Sequence, residues 1–354
     1  MSLAALAPLL LLLAGSASES GTARPEASQS VPLAFAEVDA LLTQALPAEG
    51  GGVFRVAEPG RILFEKAYGG YRLDDAIPIS TGTQLLSAVV LLRLVDGGTL
   101  SLDTRVSTVL RDWPADKGAI TLRMLLAQTS GLAPSSRCLD DRNTTLEACV
   151  REIAQLPLRR DPGTAVISGS TGFQVAGRMA EVAAGKSWAQ LFRDGLTTPL
   201  RLRATGFGRT ANPRIGGGAQ STAGEYGRVV DLLLAGGERD TVRLLSRAAV
   251  DAIFQDQSGG VPLVHTPYAL VPGREAFRPG LGVWLQRPDG KEGGGEALCQ
   301  GAFGFTAWLD RGRRVGGVLL VKGELRRILP LEAQLRERLA KLGPPPAQES
   351  RGSP

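Results

Sequence analysis

A chain of 354 residues, 43% hydrophobic and 21% charged, is long enough for two packed sub-domains around a shared core and excludes wholesale disorder. Its net charge of +5 comes from arginines spread along the chain without a block of like charges, and aromatics make up only 5%. Both features argue against a nucleic-acid partner.

The leader MSLAALAPLLLLLAGSASES carries an apolar stretch from Leu3 to Ala14, then small residues around Ser16 and Ser18. It reads as a signal peptide over 1–18, although its start has no Lys or Arg, and implies a secreted or periplasmic protein. The run is too short for a membrane span of about 20 residues. Residues 19–31 are polar and small, a linker.

The spacing next predicts a helix over about 34–46 with Phe35, Val38, Leu42 and Ala45 on one face. Strands at 53–57 and 62–68 flank Glu58-Pro59-Gly60-Arg61, which has Pro and Gly where a type II turn wants them. A mostly helical stretch follows. Residues 84–95 are apolar nearly all round, the pattern of a buried helix. Thr121 is placed to cap a helix that turns Leu122, Leu125 and Leu126 inward. Further helices fit 145–155, 171–184 (stopped by Gly185), 187–195, 223–235 and 247–255. The sequence Asn143-Thr144-Thr145 reads as a helix N-cap rather than a glycosylation acceptor.

Strands return at 281–287, 304–310 and 315–322. A last helix over 330–342 opens on Pro330 and buries Leu331, Leu335 and Leu342, and residues 343–354 read as a disordered tail. Strands from both chain ends with helices between them specify an α+β fold: one antiparallel sheet flanked by helices, plus a helical domain. Within a unit spanning 32–342, the α/β part covers about 32–80 and 256–342, and the helical part about 81–255.

Cys138 and Cys149 bracket one polar segment and are expected to form a disulfide, worth roughly 3 kcal/mol in an oxidising compartment. Two unrelated buried thiols are the alternative. Cys299 is left over, and with His265 the only histidine no metal site or cofactor is expected.

Several segments resemble a known family. LLRLVDGGTLSLDTRVSTVL followed by ITLRMLLAQTSGL is similar to the hallmark run of class C β-lactamases, penicillin-binding proteins and related esterases. Pro162-Gly163-Thr164 and GFQVAGRMAEVAAGKSW resemble the segment of that family's second motif. GGGAQSTAGEYGRVVDLLLAGG and GLGVW match a later helix and strand, and GAFGFTAWLD resembles the strand behind the third motif. The likeness spans about 35 to 325 and implies a β-lactamase/transpeptidase-like fold with serine-hydrolase ancestry.

The resemblance places the family's catalytic positions one by one. Ser-x-x-Lys falls on Thr81-Gly82-Thr83-Gln84. Threonine adds a methyl that restricts its hydroxyl, and glutamine offers no proton-accepting nitrogen. Moving the register to Ser80 puts Thr83 at the lysine position. Tyr-x-Asn falls on Ser168-Gly169-Ser170, without a phenol, and Lys-Thr-Gly or His-x-Gly falls on Cys299-Gln300-Gly301, without a cation. The N–H groups of Thr81 and Ala302 still fit an oxyanion hole, with Gln300, Gly301 and Ala302 as binding positions.

The expectation is a catalytically impaired pseudo-hydrolase that binds an acyl, lactam or peptidoglycan-like ligand, or a protein partner the sequence does not name. A regulatory partner of an active homologue is a further class. The enzymatic alternative is an active serine-hydrolase-type esterase, β-lactamase or peptidase that uses Thr81, or a rearranged nucleophile from Ser168, Ser170 or Cys299. That chemistry needs a base, and a lone histidine such as His265 is more often structural.

Overall fold

In the computed structural model, which describes residues 33–266, 277–286 and 296–342, helix α1 (Ala36–Ala45) precedes the hairpin β1 (Gly51–Glu58) and β2 (Arg61–Gly69). The predicted leader 1–18, linker 19–31 and tail 343–354 lie outside the described residues. Gly60 takes φ +82° in the hairpin turn, the left-handed conformation that the sequence anticipated there.

After β3 (Ile77–Pro78), a 3-10 turn at Ser80–Gly82 leads into α2 (Thr83–Asp96). Then come α3 (Val106–Val109), α4 (Leu122–Leu126), α5 (Leu146–Gln155), β4 (Val166–Ile167), α6 (Thr171–Ala184) and α7 (Trp188–Phe192). The next stretch holds β5 (Gln220–Ser221), α8 (Ala223–Leu234), β6 (Glu238–Arg239), β7 (Val242–Arg243), α9 (Arg247–Ile253) and β8 (Leu263–His265). Strands β9 (Arg278–Pro279), β10 (Trp284–Gln286), β11 (Glu296–Gln300), β12 (Thr306–Asp310) and β13 (Val315–Leu320) precede α10 (Leu325–Lys341).

Among the described residues the main sheet has seven strands in the order β2-β1-β13-β12-β11-β10-β9. Every neighbouring pair is antiparallel, and β1 joins β13 through Val53 opposite Leu320, so the two chain ends close one sheet. Its faces are both covered, which is why VFRVA reads as an unbroken buried run. Phe54 packs toward Phe64 and Trp308 on one face. Arg55, one residue on, points to the other and meets Asp231 of α8 at 2.8 Å. Between the sheet's chain segments, α2 is buried from Thr83 to Leu92 and is surrounded by α6, α7 and α9.

The sequence-based boundaries need three corrections. Strands β4, β5, β6 and β7 lie within the stretch read as mostly helical, and each is too short to leave a period in the sequence. Helix α10 starts at Leu325, so Pro330 lies inside it rather than in its first turn. Burying Ile328 and Leu329, at about 1.5–3 kcal/mol each, offsets a proline cost of about 3 kcal/mol. Leu342 is exposed, and Leu339 takes the inward place expected of it. The predicted helix 187–195 ends at Phe192 and continues as a π turn over Arg193–Thr197.

The caps follow the sequence. Thr121 accepts the Met124 N–H at 3.3 Å and Thr145 the Ala148 N–H at 3.1 Å, so Thr145 caps α5. Cys138 and Cys149 form the expected disulfide and tie the Arg137–Asp140 turn to α5.

Two outcomes follow from these contacts. Asp231→Ala leaves the buried Arg55 guanidinium with only Glu65, 3.5 Å from its Nε, and should lower the unfolding free energy by up to about 3–5 kcal/mol in urea titrations. The double change Arg55→Met with Asp231→Leu should recover most of that loss; no recovery would show that the loss does not come from an orphaned buried charge. Reducing the disulfide should cost roughly 3 kcal/mol, read from the same titrations with and without reductant.

Candidate active site

Helix α2 is apolar nearly all round, and the polar groups of the candidate site gather at its N-terminal end. There Ser80 takes φ +47° and Thr81 is half-buried, its hydroxyl donating to the Gln300 carbonyl at 2.5 Å. Thr83 faces inward, donating to the Ser80 carbonyl at 2.6 Å and accepting the Ala219 N–H at 3.1 Å. The end of β11 comes this close because residue 301 is glycine: a Cβ there would lie 2.3 Å from the Ile79 carbonyl oxygen.

Three residues after Thr81, in the first turn of α2, Gln84 enters a closed ring of amides. Its Nε2 donates to the Gly169 carbonyl at 3.2 Å, and its Oε1 accepts from Gln128 Nε2 at 3.2 Å. Gln128 Oε1 accepts the Gly169 N–H at 3.0 Å, which completes the ring. Gln84 and Gln128 are each 6% exposed, so little water competes with these bonds. Gly169 must be glycine, because a Cβ would sit 2.3 Å from the Pro134 carbonyl oxygen. Gln128, at φ +64°, was not singled out from the sequence; the signal was a polar residue after the buried run of α4.

The flanking serines occupy the same segment. Ser168 is half-buried and its N–H donates to the His265 carbonyl at 2.9 Å; Ser170 is buried and its N–H donates to Pro134. His265 therefore comes closer to Ser168 than the sequence indicated, through the parallel β4–β8 pair. No side-chain hydrogen bond joins them, and the His265 side chain is exposed.

Strand β11 is internal to the sheet, not an edge, and Ala302 lies in the turn after it. Cys299 is 3% exposed and sits beside the Tyr226 hydroxyl, which donates to the Gly82 carbonyl at 2.9 Å. Burial pushes its thiol up to about 12, only partly opposed by the Tyr226 hydrogen bond. Tyr226 is itself buried, and burial raises its phenol well above the usual range, so this hydroxyl is no substitute for the missing one of the second motif. Gln300 turns its side chain to α10 and donates to Glu332 at 2.8 Å. Ala302 and Phe303 are exposed. The N–H groups of Thr81 and Ala302 have no hydrogen-bond partner among the described residues.

Chemically, the arrangement brings a hydroxyl, two buried amides and two unpaired N–H donors to one helix end. It holds no cation and no group that accepts a proton near neutral pH at the Gln84 position. No cluster of three or more metal-ligating side chains occurs among the described residues, and no described helix is long and apolar enough to cross a membrane.

Comparisons with known proteins bear on this site. A family model described as beta-lactamase matches residues 38–340. Penicillin-binding protein 4 of Amycolatopsis lactamdurans is 33% identical over 138 residues, 36% of this chain and 35% of that protein. The match thus spans about a third of that relative's length. Lovastatin esterase of Penicillium rubens is 25% identical over an alignment of 377 positions, covering 84% of this chain and 91% of that protein. The crystal structure of a candidate beta-lactamase from Bacteroides dorei superposes with a TM-score of 0.77 at 28% identity, over 87% of this chain and 98% of that one.

The state of Cys299 is directly measurable. Iodoacetamide at mildly alkaline pH should leave it unmodified in the native protein and label it once denaturant opens the core, as read by mass spectrometry. Rapid labelling of the folded protein would mean that the thiol reaches solvent.

Proposed function

The chain belongs to the beta-lactamase family and has its β-lactamase/transpeptidase-like fold, and from that premise we propose an exported, catalytically impaired member that holds a ligand beside Thr81 without turning it over. One observation carries the reading: the amide ring at Gln84. Acylation requires a group that takes the hydroxyl proton as oxygen attacks a carbonyl carbon. The residue in that place is a neutral amide whose nitrogen and oxygen are both engaged. The Thr81 proton is held instead by a backbone carbonyl. Ser168 and Ser170 supply hydroxyls too weakly basic to stand in for a proton-shuttling group.

Ligand binding has separate support. The unpaired N–H groups of Thr81 and Ala302 are suited to an ester, lactam or carboxylate oxygen, and exposed Phe303 adds apolar surface next to Ala302. The class of ligand is acyl, lactam or peptidoglycan-like, in keeping with the names of the penicillin-binding and esterase relatives. Export to a secreted or periplasmic location is supported by the apolar leader and by the disulfide, which persists in oxidising compartments.

The test is incubation of the purified protein with a fluorescent penicillin and with a p-nitrophenyl acyl ester. No covalent label and hydrolysis at background are expected, since loss of nucleophile or base alone removes on the order of 10⁶ in rate. Neither Thr81→Ser nor Gln84→Lys should rescue activity alone. The double change, with Ser168→Tyr, should restore measurable acylation that falls as pH drops below the new lysine's pKa. Wild-type turnover abolished by Thr81→Ala would overturn the proposal. Turnover that survives Thr81→Ala but not Ser168→Ala or His265→Ala would overturn it too, and would move the nucleophile to Ser168.

A further inference from the structure

A concavity between α8 and the segment before it shares no residue with the Thr81 site. It has a volume of about 370 Å³ and is lined by Arg201, Arg203, Arg228 and Arg239, together with Glu225 and Asp240. Four guanidiniums face two carboxylates, and both carboxylates are already committed. Glu225, in the first turn of α8, accepts the Arg203 N–H at 2.7 Å, the Ala204 N–H at 3.0 Å and the Thr205 hydroxyl at 2.7 Å. Asp240 pairs with Arg239 at 2.9 Å.

These bonds anchor the chain segment while leaving the Arg201 and Arg203 guanidiniums unspent. Arg228 donates to the Arg201 carbonyl at 2.8 Å, so residues 201–205 are tied to α8 at four points. The Arg201 and Arg203 guanidiniums have no hydrogen-bond or ion-pair partner among the described residues. Like charges gathered in one concavity repel, and an entering anion relieves that repulsion. Because the backbone is already fixed, binding need order only the side chains.

We propose that this concavity is a binding site for a soluble, phosphorylated small molecule whose anionic group is the size of a diphosphate. The choice of phosphate over carboxylate follows from donor count. Each arginine fork pairs with two oxygens at once, so one carboxylate satisfies one fork. Two free forks, with Arg228 beside them, suit the larger oxygen set of a phosphate or diphosphate better than a single carboxylate.

Isothermal titration of the full protein with inorganic pyrophosphate tests the site. Saturable one-to-one binding that weakens with added salt is expected. Arg201→Ala with Arg203→Ala should weaken it about tenfold or more. The pair Arg201→Lys with Arg203→Lys should give an intermediate loss, because charge remains and the fork does not. Both side chains lie at exposed positions, so the thermal midpoint should not move, and Arg326→Ala on α10 should bind as wild type. Pyrophosphate that binds no better than acetate, or equally well to the alanine pair, would overturn the assignment.

Discussion

Helix α2 is apolar nearly all round, and a helix of that kind is stable only when most of its circumference is covered. Helices α6, α7 and α9 supply much of the cover, and β11 closes in on its first turn. The consequence is geometric. Two segments 219 residues apart in the chain meet at one helix end, where Thr81 bonds to Gln300, and the seven-stranded sheet holds them there. Gly301 is the permissive element, since any side chain at that position would collide with the Ile79 carbonyl.

What occupies that meeting point bears on stability as much as on chemistry. A lysine at position 84 would have to be desolvated, a penalty of several kcal/mol for a buried charge. Glutamine avoids it, and each of its hydrogen bonds contributes a net of about 0.5–1.5 kcal/mol. The ring of Gln84, Gln128 and Gly169 is self-consistent, because each member satisfies the next and none can be replaced without orphaning another. The main chain has not relaxed in the same way. Ser80 and Gln128 both keep left-handed backbone, at roughly 1–2 kcal/mol each for a non-glycine residue. Strain of this kind gathers at functional sites and persists where the surroundings impose it.

The local signals in the sequence were sound because their physics is local. The Pro59-Gly60 turn, the Thr121 and Thr145 caps and the Cys138–Cys149 loop each depend on a few neighbouring residues. The α+β architecture was legible from the order of strands and helices, and Thr81, Gln84 and Gly301 from the family resemblance. Gln128 was not, because it lies 44 residues from Gln84 and acquires its role only when α2 and the loop after α4 approach. The environment of Cys299 was also beyond the sequence: pairing with Ala307 sets the register of β11, and only the packed fold puts Tyr226 beside the thiol. Pro330 misled the reading of α10, since the apolar residues before it outweigh the break that proline alone would impose.

The site is asymmetric in its hydrogen bonding. On the side where a base would act, every polar atom of the Gln84 amide is paired, and the ring excludes a proton acceptor. On the other side, the N–H groups of Thr81 and Ala302 are unpaired among the described residues, and Ala302 is exposed. Indiscriminate drift gives no reason for one half of a site to close on itself while the other stays open. On the proposed reading, an entering carbonyl or carboxylate oxygen takes the place of water at these donors. The base side has no such freedom: opening it means breaking buried amide bonds. On the proposed reading, the same helix end holds an oxygen in place and lacks the means to activate the hydroxyl beside it.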